Sequence, residues 1–146
     1  MPSNVIITVP MTELGTIAVR VSTAGGALPV EGADVRIHGA EQGNQSIVYL
    51  LTTDRSGRPE EISVPTPPAS ISLTPGNTKG FADYDIEVFK SGFYPITLRR
   101  VPVFSGIRSV QPVELIPWPS YQKDEYPPRL EIDLSESELL YREEVQ

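Results

Sequence analysis

The stretch Thr16-Ile-Ala-Val-Arg-Val-Ser22 decides the fold class, because apolar and polar side chains alternate along it. Its three β-branched apolar residues fall on one side of an extended chain, and Arg20 falls on the other. A second stretch, Ala33-Asp-Val-Arg-Ile-His38, alternates in the same way and turns its polar residues outward. Strict alternation is typical of a strand that is buried on one face, so both stretches predict half-buried strands.

Further strands are predicted along the chain. Ser46–Thr52 is the third, and its dense apolar run predicts fuller burial than in the first two. Five more segments have strand character: Glu61–Val64, Asp83–Lys90, Tyr94–Arg99, Val101–Phe104 and Val110–Ile116. Strands that recur at short intervals, with no helical period between them, are typical of a sandwich. The sequence therefore predicts an all-β fold, a single antiparallel β-sandwich of seven to eight strands.

Composition excludes several functional classes. The chain has 146 residues with 15 prolines and 11 glycines, which disfavours a helical bundle. It has no cysteine, so a disulfide framework, a thiolate metal site and thiol catalysis are excluded. A single histidine makes a zinc site or a histidine-based triad hard to assemble, and the net charge of −7 argues against nucleic acid as the main ligand. We predict no enzyme activity, no cofactor and no metal.

The amino terminus does not have the pattern of a secretory signal. Its first ten residues contain no lysine or arginine, and the apolar run Val5–Val9 is too short for the core of such a signal. No stretch approaches the ~20 apolar residues that a membrane-spanning helix needs. We expect cytoplasmic synthesis without a signal peptide and without a membrane span, followed in one alternative by incorporation into a spore or a virion.

Three parts are predicted along the chain: an extended N-terminal arm (1–13), the β-sandwich (14–117) and a proline-rich acidic tail (118–146). The tail carries eight acidic and three basic residues, a net charge of −5. Within it, Leu130–Leu134 alternates like one more strand. Ser135–Glu138 has the pattern of a capping box and predicts the start of a short helix. The tail is either a solvated acidic end or a segment that docks on a partner.

The aromatic residues divide between the two regions. Tyr94 and Phe104 are predicted to belong to the core. Trp118, which lies between two prolines, is expected either to cover a sheet edge or to contact a partner.

We predict that residues 1–117 fold without the tail, the alternative being that Leu130–Leu134 pairs with an edge of its own sandwich. The candidate partner-binding residues are Trp118, Tyr121, Tyr126, Leu139 and Leu140.

Two groups of polar residues could carry chemistry. His38 lies on the outward face of its strand, and no orienting carboxylate or nucleophile is marked beside it, so a surface histidine is predicted. Asp83, Asp85 and Glu87 alternate along one strand and share a face that could gather a cation. They lack the glycine-punctuated loop of a dedicated calcium site, so a solvated strand face is predicted.

Three stretches together resemble a known superfamily. They are Pro29-Val-Glu-Gly-Ala-Asp-Val35 after the first strand, Thr53-Asp-Arg-Ser-Gly57, and Tyr84-Asp-Ile-Glu-Val-Phe-Lys-Ser-Gly-Phe-Tyr94. In this order they are similar to the carboxypeptidase regulatory-like, transthyretin-like β-sandwich superfamily, over about residues 14–104. The resemblance implies the sandwich fold and says little about function.

A narrower resemblance adds Leu73–Asn77 and Val103–Pro117. These stretches are similar to the amino-terminal domain of clostridial spore cortex-lytic enzymes and related peptidoglycan-binding proteins. This implies a non-catalytic module in the spore or cell-wall biology of a Gram-positive bacterium. Those enzymes continue into wall-binding or lytic domains that have no counterpart in this sequence, so peptidoglycan cleavage is not implied, and the residues themselves do not imply peptidoglycan binding.

The expected function is therefore a protein-interaction module, in spore or cell-wall assembly, whose partner is a protein or a larger assembly. The alternative is a structural or adaptor component of a phage particle or a tail-like injection machine, in which strand-like ends could add to neighbouring sheets. A third hypothesis, an enzyme or a carbohydrate binder, would require exposed aromatic side chains that line a groove.

Overall fold

The computed structural model describes residues 10–41, 44–70, 80–119 and 127–135. Within these ranges nine strands form two sheets around one core, which confirms the predicted all-β sandwich. The strands are β1 (Glu13–Thr23), β2 (Leu28–Pro29), β3 (Asp34–Gly39), β4 (Val48–Thr52), β5 (Ile62–Thr66), β6 (Ala82–Phe89), β7 (Ile96–Val103), β8 (Arg108–Glu114) and β9 (Leu130–Asp133).

The two sheets are mostly antiparallel. In the first, β1 pairs antiparallel with β2 and β5 and parallel with β8. The second has five strands in the order β4-β3-β6-β7-β9, all antiparallel except that β9 runs parallel to β7. The two parallel pairs, β1 with β8 and β7 with β9, join distant parts of the chain. The sequence pattern did not predict these two pairings.

The core is built by the alternation that the sequence predicts. Every second residue of β1, β3 and β6 is buried between the sheets, and the largest of these side chains is that of Tyr84. The Tyr84 hydroxyl donates a hydrogen bond of 2.6 Å to the carbonyl oxygen of Pro65, and burial raises the pKa of Tyr84 to about 12. The hydroxyl is therefore a neutral donor that ties β6 to β5 across the core.

The tail contributes a strand to the sandwich. Leu130–Asp133 pairs with Ile96–Arg99 of β7, and the side chains of Leu130 and Leu134 pack against the core. This is the alternative in which the tail strand lies on an edge of its own sandwich. The predicted helix beyond Ser135 and most of the predicted arm (1–13) lie outside the described residues.

Two burial predictions are wrong. The strand predicted to be most buried, β4, lies at the edge of its sheet, and the Leu50 side chain on it is 75% exposed. An edge strand has one neighbour, and nothing in the described part of the chain covers its outer side. Phe104 follows the end of β7 and is 39% exposed, with its ring 5.1 Å from that of Phe81.

None of the described helical residues forms a helix of the length and apolar character that spanning a membrane requires.

Candidate functional site

The side of the five-stranded sheet that faces away from the core, here called the outer face, carries a groove of about 560 Å³. Exposed residues of β3 and β4 border it on one side, and Glu87 and Phe89 of β6 border it on the other. The residues on which its chemistry depends are Asp34, Arg36, Leu50, Glu87, Phe89 and Arg129. The groove is thus lined by both apolar and charged side chains.

Glu87 organises the charged side of the groove. Its Oε2 lies 2.9 Å from His38 Nε2 and 3.4 Å from Arg36 Nη1, and its Oε1 accepts a hydrogen bond of 3.0 Å from Arg129 Nη1. Arg129 also donates to the hydroxyl of Thr97 at 2.8 Å. Because Arg36 lies directly opposite Glu87 in the β3–β6 ladder, the strand register brings these charges together. One half-buried carboxylate therefore links β3, β6 and the chain entering β9.

The pair of His38 and Glu87 has one feature of a catalytic histidine, a carboxylate that orients the ring. Sequence inspection missed this partner because it lies 49 residues away, and only the pairing of β3 with β6 brings the two together. No hydroxyl of the described residues is hydrogen-bonded to His38. The described residues likewise contain no group of three or more His, Asp or Glu side chains that could hold a metal ion.

The prediction of one solvated face for the acidic residues of β6 is wrong for two of them. Asp85 is 8% exposed and accepts a hydrogen bond of 2.9 Å from the backbone N–H of Arg100. Arg100 lies at an irregularity of the β6–β7 ladder and has a φ of 59°, which non-glycine residues rarely adopt. Asp83 is 9% exposed, and its N–H donates to Glu41 Oε1. The carboxylates of Asp85 and Glu41 therefore each hold a backbone N–H of the sheet.

The edge formed by β4 is open. The N–H of Gly39 donates to the carbonyl of Ile47 and the N–H of Thr53 donates to that of Ala33, so odd-numbered residues of this strand face β3. Val48, Leu50 and Thr52 must then direct their backbone N–H and C=O groups away from the sheet. No described segment pairs with these groups.

The other edge strands carry features that discourage pairing. β8 contains Pro112, and the bonds Leu115 N–H to Ser22 C=O and Thr16 N–H to Ile107 C=O show that even-numbered residues of β8 face away from β1. Pro112 therefore removes a donor from the free side. β2 and β5 also contain proline, and β9 contains two acidic residues. Among the described edge strands, β4 is the one with neither proline nor charge.

Apolar side chains accompany this open edge. On the outer face, Leu50 is 75% exposed, Phe89 52% and Val48 46%. Leu50 and Phe89 both line the groove. Exposed apolar residues that lie singly on a surface need no explanation, but here they adjoin a groove and an unpaired strand edge, a combination typical of a protein-binding surface.

The predicted partner-binding residues lie elsewhere. Trp118 is half-buried, its ring packs edge-to-face on Tyr94 with centroids 5.1 Å apart, and its backbone N–H donates to the carbonyl of Gly92. It does not line the groove. This packing corresponds to the alternative in which Trp118 covers part of its own sandwich. The other four, Tyr121, Tyr126, Leu139 and Leu140, lie outside the described residues.

Comparison with protein families and with curated proteins finds no match to the sequence.

Comparison with solved structures finds likeness of fold. Catechol 1,2-dioxygenase from Acinetobacter sp. ADP1 is similar at 12% identity with a TM-score of 0.52, over 84% of this chain and 59% of that one. The minor pilin GBS52 of Streptococcus agalactiae matches at 14% identity and a TM-score of 0.47, over 74% and 46% of the two chains. The Bacillus anthracis TIE protein matches at 13% and 0.48, over 72% and 17%. At such identities the likeness to the dioxygenase shows the fold and assigns no activity.

Proposed function

We propose that this chain is a non-catalytic protein-interaction module that binds protein through β4 and the adjoining groove. The observation that carries the proposal is the open edge of β4, where Val48, Leu50 and Thr52 present exposed side chains in one row and backbone groups that no described segment pairs with. A strand added to such an edge gains main-chain hydrogen bonds, which supply affinity for any extended segment.

The groove supplies side-chain selectivity. A segment along β4 has its outward side chains beside Leu50, and residues that reach further meet Phe89 and the charged cluster around Glu87. Arg36 and Arg129 both pair with Glu87, and Asp34 also lines the groove, so two positive and two negative side chains balance there before a partner binds. This favours an apolar, extended partner segment over a highly charged one, because a charged segment would have to compete with existing ion pairs.

The same balance argues against catalysis as the role of the groove. His38 and Glu87 pair with each other in the described structure, and a general base needs in addition a reacting group within hydrogen-bond distance. The likeness to a dioxygenase supports the sandwich scaffold alone. We therefore propose binding, with no chemical step, as the function of the outer face.

The setting that we propose is spore or cell-wall assembly in a Gram-positive bacterium, as the sequence resemblance implies. The alternative is a structural or adaptor role in a phage particle or tail-like injection machine. Both settings use a small sandwich that holds protein segments in place. Genome neighbours separate the two, because sporulation or wall genes support the first setting and capsid or tail genes support the second.

The proposed function is tested by photo-cross-linking in the native host. A photoreactive amino acid replaces Leu50, and in a control chain it replaces Val110, which is 52% exposed on the proline-containing edge β8. We expect one recurrent protein to be captured from position 50 and not from position 110, and Leu50→Lys to abolish its co-purification. Equal capture from both positions, or a hydrolytic or oxidative activity lost in Glu87→Gln, would overturn the proposal.

A further inference from the structure

We propose that β4 pairs with β4 of a second copy of this chain, which makes the module a two-fold symmetric dimer. This inference rests on the proposed function, because it assumes that β4 is the edge that accepts a strand. It adds which segment occupies that edge, namely β4 of the second copy. In this arrangement the two strands run antiparallel about a two-fold axis that passes beside Leu50.

The backbone geometry fits this pairing. Val48, Leu50 and Thr52 direct their N–H and C=O groups away from β3. With the axis at Leu50, each Leu50 lies opposite the Leu50 of the second copy, and each Val48 lies opposite a Thr52. All three are positions at which antiparallel residues exchange two hydrogen bonds, so three residues from each copy satisfy every free backbone group of the edge.

The side chains are also self-complementary. Across the axis, Val48 of one copy faces Thr52 of the other. Both side chains are β-branched and nearly equal in size, so they pair without a step in the row. Leu50, which is 75% exposed, meets its own copy and loses contact with water.

Charge favours the same edge. The chain carries a net charge of −7, of which −5 belongs to residues 118–146. Two such chains repel each other over most of their surfaces, but β4 carries no charge at all. At the other end of the same sheet, β9 carries Glu131 and Asp133, so that edge would place acidic residues of two copies together. Of the two edges of this sheet, β4 is the one that avoids this repulsion.

The dimer would change what the module can bind. Because the axis of an antiparallel pair is perpendicular to the sheet, the two five-stranded sheets join into one continuous sheet. Both outer faces then point to the same side, and the two grooves lie on one surface. A partner with two apolar segments could occupy both grooves, which raises its apparent affinity without any new contact.

Single-cysteine variants test the register, because the natural chain contains no cysteine. In Leu50→Cys the two Cα atoms of the facing pair lie about 5.5 Å apart, within the range for a disulfide. In Val48→Cys or Thr52→Cys alone the matching residues are offset by about 13 Å along the strand direction, the length of four residues, and lie on two different strands. We expect mild oxidation to cross-link Leu50→Cys. Val48→Cys and Thr52→Cys should each stay uncross-linked alone, but they should form a disulfide with each other when the two variants are mixed. Val110→Cys on β8 is the matched control and should stay uncross-linked.

A charge exchange tests the contact in solution. Because position 50 faces itself, Leu50→Lys and Leu50→Glu should each be monomeric, and an equimolar mixture should form the mixed dimer. Light scattering after gel filtration measures mass, with twice 16.0 kDa expected for the natural chain. Thermal melts check folding, which substitution at a side chain 75% exposed should preserve.

Three outcomes separate the two proposals. A natural chain that stays monomeric at concentrations of several hundred micromolar overturns self-pairing, and if position 50 still captures another protein the proposed function stands. A dimer that cross-links through Val110→Cys, or through position 48 alone, overturns the proposed register and axis. A dimer with the expected cross-links whose position 50 and groove capture no other protein supports self-pairing and overturns the wider binding role.

Discussion

The two edges of the five-stranded sheet are finished in opposite ways. At one end β9 pairs with β7, and its acidic side chains Glu131 and Asp133 lie beside Arg99 and Arg100. At the other end β4 has an uncharged sequence and leaves Leu50 exposed to solvent. Among the residues that the structure describes, one edge of this sheet is therefore closed by its own chain and the other is left open, and the open edge is where a binding function is to be sought.

The difference shows what closes an edge. A strand from the tail covers β7, and acidic residues on that strand then repel further pairing. On the first sheet, Pro112 removes a donor from the free side of β8. β4 uses neither device. Each of the following predictions alters one of these edges or the carboxylate of Glu87, which links β3 and β6 to the chain entering β9.

The largest effect is expected from removing β9. A chain of residues 1–119 keeps Trp118 but loses the strand, which exposes β7 and uncovers the core beside Leu130 and Leu134. We expect its melting temperature to fall by more than about 10 °C, equivalent to a few kcal/mol in a domain of this size. A chain of residues 1–135 retains β9 and is the control. If 1–119 melts within a few degrees of 1–135, the tail strand does not belong to the cooperative fold.

A smaller loss is expected from Glu87→Gln. The substitution keeps the shape of a half-buried side chain but removes the charge that Arg36, His38 and Arg129 share. We expect destabilisation by about 1–2 kcal/mol, seen in chemical denaturation, because hydrogen bonds to a charged acceptor are stronger than neutral ones.

Glu131→Gln is the matched control for this variant. Its pair with Arg99 has both side chains about half exposed and a separation of 3.5 Å, so the loss should be close to zero. Equal losses in the two variants would show that Glu87 does not organise the outer face.

The closed edge should weaken in acid. Hydrogen bonds from Arg100 and Ser135 lower the pKa of Asp133 to about 2, whereas an unfolded aspartate titrates near ~3.9. The stabilisation is then complete above about pH 4 and is lost as the pH falls towards 2. We expect Asp133→Asn to melt a few degrees below the natural chain at pH 7 and at the same temperature at pH 2. A difference that persists unchanged at pH 2 would rule out the carboxylate as its cause.

The smallest effect on stability is expected from Pro112→Val. It restores an N–H on the free side of β8, so the melting temperature should change by no more than about 2 °C while self-association increases. The test is made in the Leu50→Lys chain, where pairing through β4 is removed. Light scattering should then show a higher mass with Pro112→Val than without it. An unchanged mass would mean that proline is not what keeps β8 unpaired.

Alternation along single strands made much of this architecture predictable. The inward residues of β1, β3 and β6 could be assigned because each of these strands buries one face. Val19, Ile37 and Ile86, one from each strand, are buried as the alternation predicts. The same pattern cannot tell a central strand from an edge strand. Ser46–Thr52 has an apolar run typical of burial, and its place at an edge follows from the order of strands.

The site was less predictable than the fold for the same reason. Glu87 and His38 are 49 residues apart, and Arg129 reaches Glu87 from the chain that enters β9. Each of these contacts depends on how strands are ordered and on where the tail returns to the sheet, neither of which a local pattern encodes. The apolar edge could have been suspected from one signal, a strand-like stretch without charge or proline in an otherwise acidic chain.

The parallel pairing of β1 with β8 has a consequence for how the molecule is made. The Thr23 hydroxyl bonds the carbonyl of Leu115 across 92 residues, and Gly25 bonds Glu114 across 89. During synthesis β1 must therefore remain without its parallel neighbour until most of the chain has left the ribosome. Such distant contacts slow folding, because the entropy of closing a long loop is lost before any contact forms. We expect folding in milliseconds to seconds, limited by the pairing of β1 with β8.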